Sequence, residues 1–140
     1  GPIKSISGKN GKISNLEIDT EDVSVNIIET ISGALGTLHL DYLQCELSRS
    51  CKVIGDEGVI VWDYNNSTVK FMSHQDRVWL THDFSEYKRN DRFIDIMETF
   101  MASSKEVNDD RLVNFKDAIK SIELVELSKE ANIHNYMVSL

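Results

Sequence analysis

The chain has 140 residues, 41% hydrophobic and 27% charged, with 23 acidic against 15 basic side chains and a formal net charge of -8. That length suits one soluble domain with a core of its own. An acidic balance without any Lys/Arg-rich run argues against phosphate-driven nucleic-acid binding and against docking on an anionic membrane.

No apolar run nears the roughly 20 residues that span a bilayer, and nothing at the N-terminus resembles a signal peptide. Cys45 and Cys51 are the two cysteines. They read as reduced, partly buried thiols of a cytoplasmic protein, because a zinc site wants more ligands at tighter spacing. The Gly1-Pro2 start marks either a protease scar or a piece of something longer.

In chain order, Pro2 to Lys9 alternates Ile3 and Ile6 with small polar residues and stops at the turn cluster Gly8-Lys9-Asn10-Gly11. This predicts an edge strand, where proline is tolerated. Leu16 to Glu21 is a polar connector. Asp22 to Ile31 sets Val23, Val25, Ile27 and Ile31 against Ser24, Asn26 and Thr30, the two-residue period of a half-buried strand. Ser32 to Gly36 turns the chain into Gly36 to Gln44, with Leu38, Leu40 and Tyr42 on one side and Thr37, His39 and Asp41 on the other.

Ser48 to Ile54 is the next strand. It ends at Gly55-Asp56-Glu57-Gly58, whose glycines permit the positive φ values of a tight hairpin. Val59 to Tyr64 carries an unbroken apolar run and predicts a strand covered on both faces. Asn65-Asn66 turns into Ser67 to Ser73. Val78 to Phe84 is either a further strand or an extended crossover.

After Tyr87 the period becomes helical. Phe93, Ile96, Met97, Phe100 and Met101 form a stripe on a helix from about Asp91 to Ser103, with Asn90 as N-cap. Ser104 to Arg111 is a charged loop. Asn114 caps a second helix, with Asp117 at the reciprocal cap position. On that helix Phe115, Ala118, Ile119, Ile122 and Val125 form one stripe, and Leu124, Leu127 and Ala131 lie on the far side, which predicts cover on both flanks. Tyr136 to Leu140 suits a short last strand.

Strands first and helices last make an α+β domain: an open, predominantly antiparallel sheet of about six strands with two main helices packed on one face. The uncovered face, including Thr37, His39 and Asp41, is then the expected contact with a second subunit or another domain.

Chemistry is sparse. His39 and Asp41 share a strand face as base and orienter, or as a polar patch on a sheet interface. His74, His82 and His134 stand apart from other ligand types, and Asp109-Asp110 and Glu21-Asp22 read as solvated or capping pairs. Glu126 lies beside the apolar stripe and calls for a partner there. Ser48-Arg49-Ser50 makes a cationic corner that either receives a phosphate or sugar hydroxyl or closes a turn with one salt bridge. Gly55-x-x-Gly58 joins two strands and is no phosphate loop. No nucleophile–base set, metal set or dinucleotide fingerprint appears, so no catalytic residue is assigned.

The ordered run Ser32-Gly33-Ala34-Leu35-Gly36-Thr37-Leu38, Arg49, Val53 to Ile60 and Trp62-Asp63 resembles the C-terminal domain of the Gfo/Idh/MocA oxidoreductases. Asn90 to Asp95, Phe100-Met101, Asp117 to Ile119, Leu124 to Glu126 and Met137 to Leu140 continue the likeness to the end. The resemblance implies a longer protein with an N-terminal Rossmann domain that binds NAD or NADP and supplies the catalytic lysine. This domain would form one wall of a cleft for a sugar, sugar nucleotide or polyol and make the dimer or tetramer contact. On its own it would be inactive.

Substrate contacts are then expected in the corner from Gln44 to Ser50. Arg49 would meet a substrate anion or hydroxyl, with Gln44 and Ser48 as hydrogen-bonding neighbours and Arg92 as a further contact. The corner lacks the tyrosine that the family's inositol dehydrogenases carry there, which argues against a polyol. A non-enzymatic dimerisation or binding module is the competing reading, and a small acidic enzyme using His39 and Asp41 is a third.

Overall fold

The computed structural model describes residues 1–103, 112–134 and 138–139. Its elements run β1 (Ile3–Gly11), β2 (Val23–Thr30), β3 (Leu35–Asp41), β4 (Ser50–Gly55), β5 (Gly58–Asp63), β6 (Thr68–Ser73), β7 (Trp79–Asp83), α1 (Asp91–Ser103), α2 (Phe115–His134) and β8 (Val138–Ser139). The strands form two open antiparallel sheets, ordered β3-β2-β1-β8 and β4-β5-β6-β7.

The α+β class is as expected. Among the described residues there are eight strands, not about six, because Val78 to Phe84 does contain a strand and the chain end adds β8 beside β1. The charged loop at 104–111, with its Asp109-Asp110 pair, and most of the expected last strand (Tyr136, Met137, Leu140) lie outside the described residues. The chain divides into two compact units, Gly1–Gln44 with Val113–Leu140, and Cys45–Leu112.

In the first unit β1 is an inner strand, paired with β2 on one side and β8 on the other, and not the expected edge. Pro2 stays out of the ladder, and its carbonyl accepts a bond from Ile31 N–H at 2.9 Å. The β2–β3 hairpin closes as predicted. Gly33 takes φ 86°, a region costly for any residue with a Cβ, while Thr30 N–H donates to Ala34 O at 2.9 Å.

Helix α2 opens on the predicted cap: Asn114 Oδ1 accepts from Asp117 N–H at 3.0 Å and its Nδ2 donates to the Asp117 carboxylate at 2.8 Å. It packs on β1 and β8 through the flank that carries Ser128, Ala131, Leu124 and Leu127. The other expected stripe is exposed at Phe115, Ile119, Ile122 and Val125, so cover on both flanks is not what forms. A polar network explains which flank turns inward. Ser128 Oγ donates to Asn26 Oδ1 at 2.6 Å and accepts from Asn10 Nδ2 at 2.9 Å. Ser24 joins the two asparagines from β2. Buried polar atoms must be paired, and this rotation of α2 pairs them.

Asp22, of the Glu21-Asp22 pair, is buried and caps the β1–β2 connection. Its carboxylate accepts from Ile13 N–H at 2.8 Å, from Ser14 N–H at 2.9 Å and from the Ser14 hydroxyl. The Ser14 hydroxyl first, and the Ile13 N–H next, hold the acid below the ordinary aspartate value of 3.8. A carboxyl whose folded value is depressed stabilises the fold above its unfolded value and stops doing so as pH falls through the folded one. Acid titration of the native chain should therefore show a loss of stability that begins below about pH 4. In Asp22→Asn that loss should be smaller, from a lower starting stability at pH 7. Identical stability–pH curves for the two proteins would contradict this.

In the second unit the β4–β5 hairpin has the expected two-residue loop, with Gly55 paired to Gly58. Neither glycine takes a positive φ. Gly58 is instead required by close approach, since a Cβ there would fall on the Met72 carbonyl oxygen of β6. The following turn places Ser67 at φ 49°, and Asp63 closes it by accepting from Asn66 N–H at 3.1 Å and Nδ2 at 2.7 Å.

Val59, Val61 and Trp62 are half-buried and Ile60 is exposed. No residue of β4–β7 is fully buried, contrary to the expectation of cover on both faces of β5. The reason is in α1, whose apolar residues Phe93, Ile96, Met97, Phe100 and Met101 remain exposed. Cys45 and Cys51 are free as expected, but exposed and not partly buried.

Candidate functional site

The hairpin register builds the corner. Counting back from the Gly55–Gly58 pair through Ser50 and Asp63 brings Arg49 opposite Tyr64, whose N–H donates to Arg49 O at 3.0 Å. Trp62 and Tyr64, two residues apart, project on the same side. Their rings meet edge-on, centroids 6.1 Å apart at 73°. The Arg49 guanidinium carbon lies 5.6 Å from the Trp62 centroid and 5.9 Å from that of Tyr64. Asn65 Nδ2 donates to Leu47 O, tying the loop before Arg49 to the turn after Tyr64.

Arg92 arrives from the first turn of α1. Its guanidinium lies 5.8 Å from the Tyr64 centroid and 4.7 Å from that of Phe93, and Nη1 donates to the Tyr64 hydroxyl at 3.1 Å. Such cation–ring contacts contribute about 0.5–1 kcal/mol each at exposed sites and also fix orientation. The helix start is secured by Asn90 O, which accepts from Phe93 and Ile94 N–H, and by the Asp91 carboxylate, which accepts from Lys88 N–H at 2.7 Å. Tyr87 donates to Asp95 Oδ2 at 2.5 Å, and the carboxylate that accepts this bond pushes the phenol up to about 12.

Of the expected substrate contacts, Arg49 and Arg92 are brought together on one tyrosine. Ser48 stands exposed beside Arg49 in the chain. Gln44 belongs to the first unit, where its Nε2 donates to Asp41 at 2.8 Å. Thr37, His39 and Asp41 lie on β3, the outer strand of its sheet. His39 Nε2 is 3.2 Å from Asp41, but the Asp41 side chain is only 7% exposed against 63% for His39. The Gln44 amide first, with the Leu43 N–H behind it, holds the Asp41 acid below the usual range. That carboxylate therefore serves a turn more than it serves the imidazole.

Elsewhere, His74 contacts the Gly55 carbonyl at 3.0 Å, and Glu126 has Lys129 at 3.6 Å as its partner. Trp62 and Tyr64 are the site residues that the sequence reading missed, having been absorbed into a core strand. The signal was present in the two-residue loop, which dictates that Arg49 faces Tyr64.

Among the described residues there is no group of three His, Cys, Asp or Glu that could hold a metal, and no helix is long and apolar enough to cross a membrane. A dinucleotide cradle needs a Gly-rich turn from a strand into a helix. The hairpin glycines here join strand to strand, and neither helix opens on a glycine. The described residues do not fit that cofactor.

Fold and corner define an open-sheet α+β domain with a cationic, aromatic edge. Residues 4–140 match the "oxidoreductase family, C-terminal alpha/beta domain". The chain belongs to the Gfo/Idh/MocA oxidoreductase family, as a C-terminal domain. Levoglucosan dehydrogenase in complex with NADH and levoglucosan superposes with a TM-score of 0.85 at 13% identity, over 100% of this chain and 45% of its own. An aldose–aldose oxidoreductase from Caulobacter crescentus, complexed with glycerol, gives 0.74 at 15% identity, over 99% of this chain and 42% of its own. The WlbA dehydrogenase from Bordetella pertussis, in complex with NADH and UDP-GlcNAcA, gives 0.65 at 16% identity, over 100% and 41%. The chain thus spans less than half the length of these proteins, and at such identities the likeness establishes the fold. No curated protein matches the chain.

Proposed function

We propose that this chain is the substrate-binding and assembly domain of an NAD(P)-dependent oxidoreductase acting on a sugar or sugar nucleotide. The nicotinamide site and the catalytic lysine belong, on this reading, to an N-terminal domain of the same protein. Hydride passes between the nicotinamide and a carbon bearing a hydroxyl or carbonyl, while the corner at Arg49 forms part of the substrate wall.

The observation that carries the reading is the convergence of Arg49 and Arg92 on Tyr64 in a chain of this family. Two directional donors fixed by aromatic rings suit recognition of oxygen-rich substrates. Solved neighbours bound to NADH, levoglucosan or UDP-GlcNAcA support the substrate class. In the longer oxidoreductase, Arg49→Ala should raise KM about tenfold or more and lower kcat less, the pattern of a lost contact worth about 1.4 kcal/mol. Unchanged KM and turnover would remove the corner from the site.

The competing reading, a dimerising module without turnover, is favoured by the outer strand β3. Its Leu35, Leu40 and Tyr42 neighbourhood is exposed beside Thr37 and His39. Nicotinamide-dependent turnover on a sugar panel by the longer protein separates the two. Complete absence of turnover with any sugar or cofactor would leave the module.

A further inference from the structure

We infer that the Arg49–Tyr64–Arg92 corner selects a substrate carrying an oxyanion, a carboxylate or phosphate on the sugar, over its neutral counterpart; this rests on the corner being part of the substrate wall. The two guanidinium carbons lie under 6 Å from one ring centroid, so their separation is at most the sum of those two distances. The chain has 23 acidic side chains, yet among the described residues neither arginine forms an ion pair with a carboxylate. The nearby acids are engaged elsewhere: Asp63 by Asn66, Asp91 by the Lys88 N–H, and Asp95 by the Tyr87 hydroxyl.

Each arginine is held by neutral partners, rings for Arg49 and rings plus a phenol for Arg92. Those partners fix direction and leave both guanidinium forks without a direct carboxylate partner among the described residues. Guanidinium presents five N–H donors in a planar fork that matches carboxylate or phosphate oxygens in pairs. An oxyanion can take two parallel N–H bonds from one such fork, which a single hydroxyl cannot. A neutral sugar offers hydroxyls to the same donors, each accepting singly and without a charge of its own. The acidic remainder of the chain repels anions, so the preference must be local to this corner, within the roughly 8–10 Å over which charge acts in physiological salt.

The test is an NMR titration of the 140-residue chain, following the Arg side-chain Nε–H and Trp indole resonances, with glucose, glucuronate and glucose 1-phosphate as probes. At least one anion should move the Arg49, Arg92 and Trp62 signals with an affinity tenfold or more above that of glucose. Which anion does so distinguishes carboxylate from phosphate. Arg49→Gln/Arg92→Gln should lose that tenfold. Tyr64→Phe, which removes only the hydroxyl that orients Arg92, should lose about threefold. If the double variant does not fold, Arg49→Lys and Arg92→Lys taken singly replace it, each expected to weaken anion binding while glucose is unaffected.

Equal affinity for glucose and both anions would overturn charge selection yet leave the corner as a substrate contact. Anion affinity unchanged in the double variant, or no movement of these signals with any probe, would overturn the inference as well. The kinetics of Arg49→Ala in the longer oxidoreductase test the underlying reading separately.

Discussion

Gly58→Val is expected to destabilise the unit formed by β4–β7 by about 3 kcal/mol, at the upper end of what overpacking costs. Its Cβ would fall on the Met72 carbonyl oxygen and stand 3.1 Å from both the Met72 carbonyl carbon and the Phe71 ring. A flexible side chain could swing away, but this carbonyl belongs to β6 and lies beside the Gly58–Ser73 pair. Moving it disturbs the ladder on both sides. Valine's preference for strands recovers well under 1 kcal/mol, so the steric term wins.

Gly55 is the control, because nothing lies within 4 Å of a Cβ built there. Gly55→Val should change stability by less than about 1 kcal/mol. Trp62 and Trp79, the two tryptophans, both sit in this sheet, so urea unfolding followed by tryptophan fluorescence reads the right unit. A Gly58→Val midpoint matching that of Gly55→Val would disprove the close-approach argument.

Ser128→Ala should cost the other unit about 2 kcal/mol, although alanine is the better helix former by about 0.5 kcal/mol. The side chain removed is small, but it leaves the Asn26 Oδ1 and Asn10 Nδ2 without their partner under α2. Each buried polar group left unsatisfied costs about 1–3 kcal/mol. Ser121, on the exposed side of α2 with its hydroxyl on the Asp117 carbonyl, provides the contrast. Ser121→Ala should be neutral or slightly stabilising, since only helix propensity changes there. Equilibrium unfolding by far-UV circular dichroism, with amide exchange of β1 and β2 for the location, measures both. Equal stability of the two variants would mean that water replaces the lost partner.

These two residues also show what could be read in advance. Periodicity of two located β1 to β3, turn residues and an apolar run located β4 to β6, and the spacing of Phe93 to Met101 located α1, because those patterns follow from backbone geometry. The cap at Asn114 was readable too, since it needs only residues three apart. The face of α2 that turns inward was not. The sequence offers two apolar flanks, and the choice depends on Asn10, Ser24 and Asn26, more than 100 residues earlier. The positive φ assigned to Gly55 and Gly58 failed for a related reason: a glycine can serve close packing as well as backbone freedom, and only the neighbouring strand tells which. In the site, Arg49 was legible as the cation of a turn corner, and Arg92 entered only through the family resemblance. Tyr64 was not, because a tyrosine ending an apolar run reads as core until its partners are known.

The two-residue loop at Asp56-Glu57 acts as a ruler for everything upstream of it. Side chains alternate along a strand, so a single-residue insertion or deletion there that slides β4 by one position would send Arg49 to the opposite side of the sheet from the Tyr64 ring. Comparing loop lengths across related sequences is therefore a quick screen. Relatives that keep this arginine and tyrosine should also conserve the number of residues between them, while those of different spacing will have had to recognise their ligands by other means.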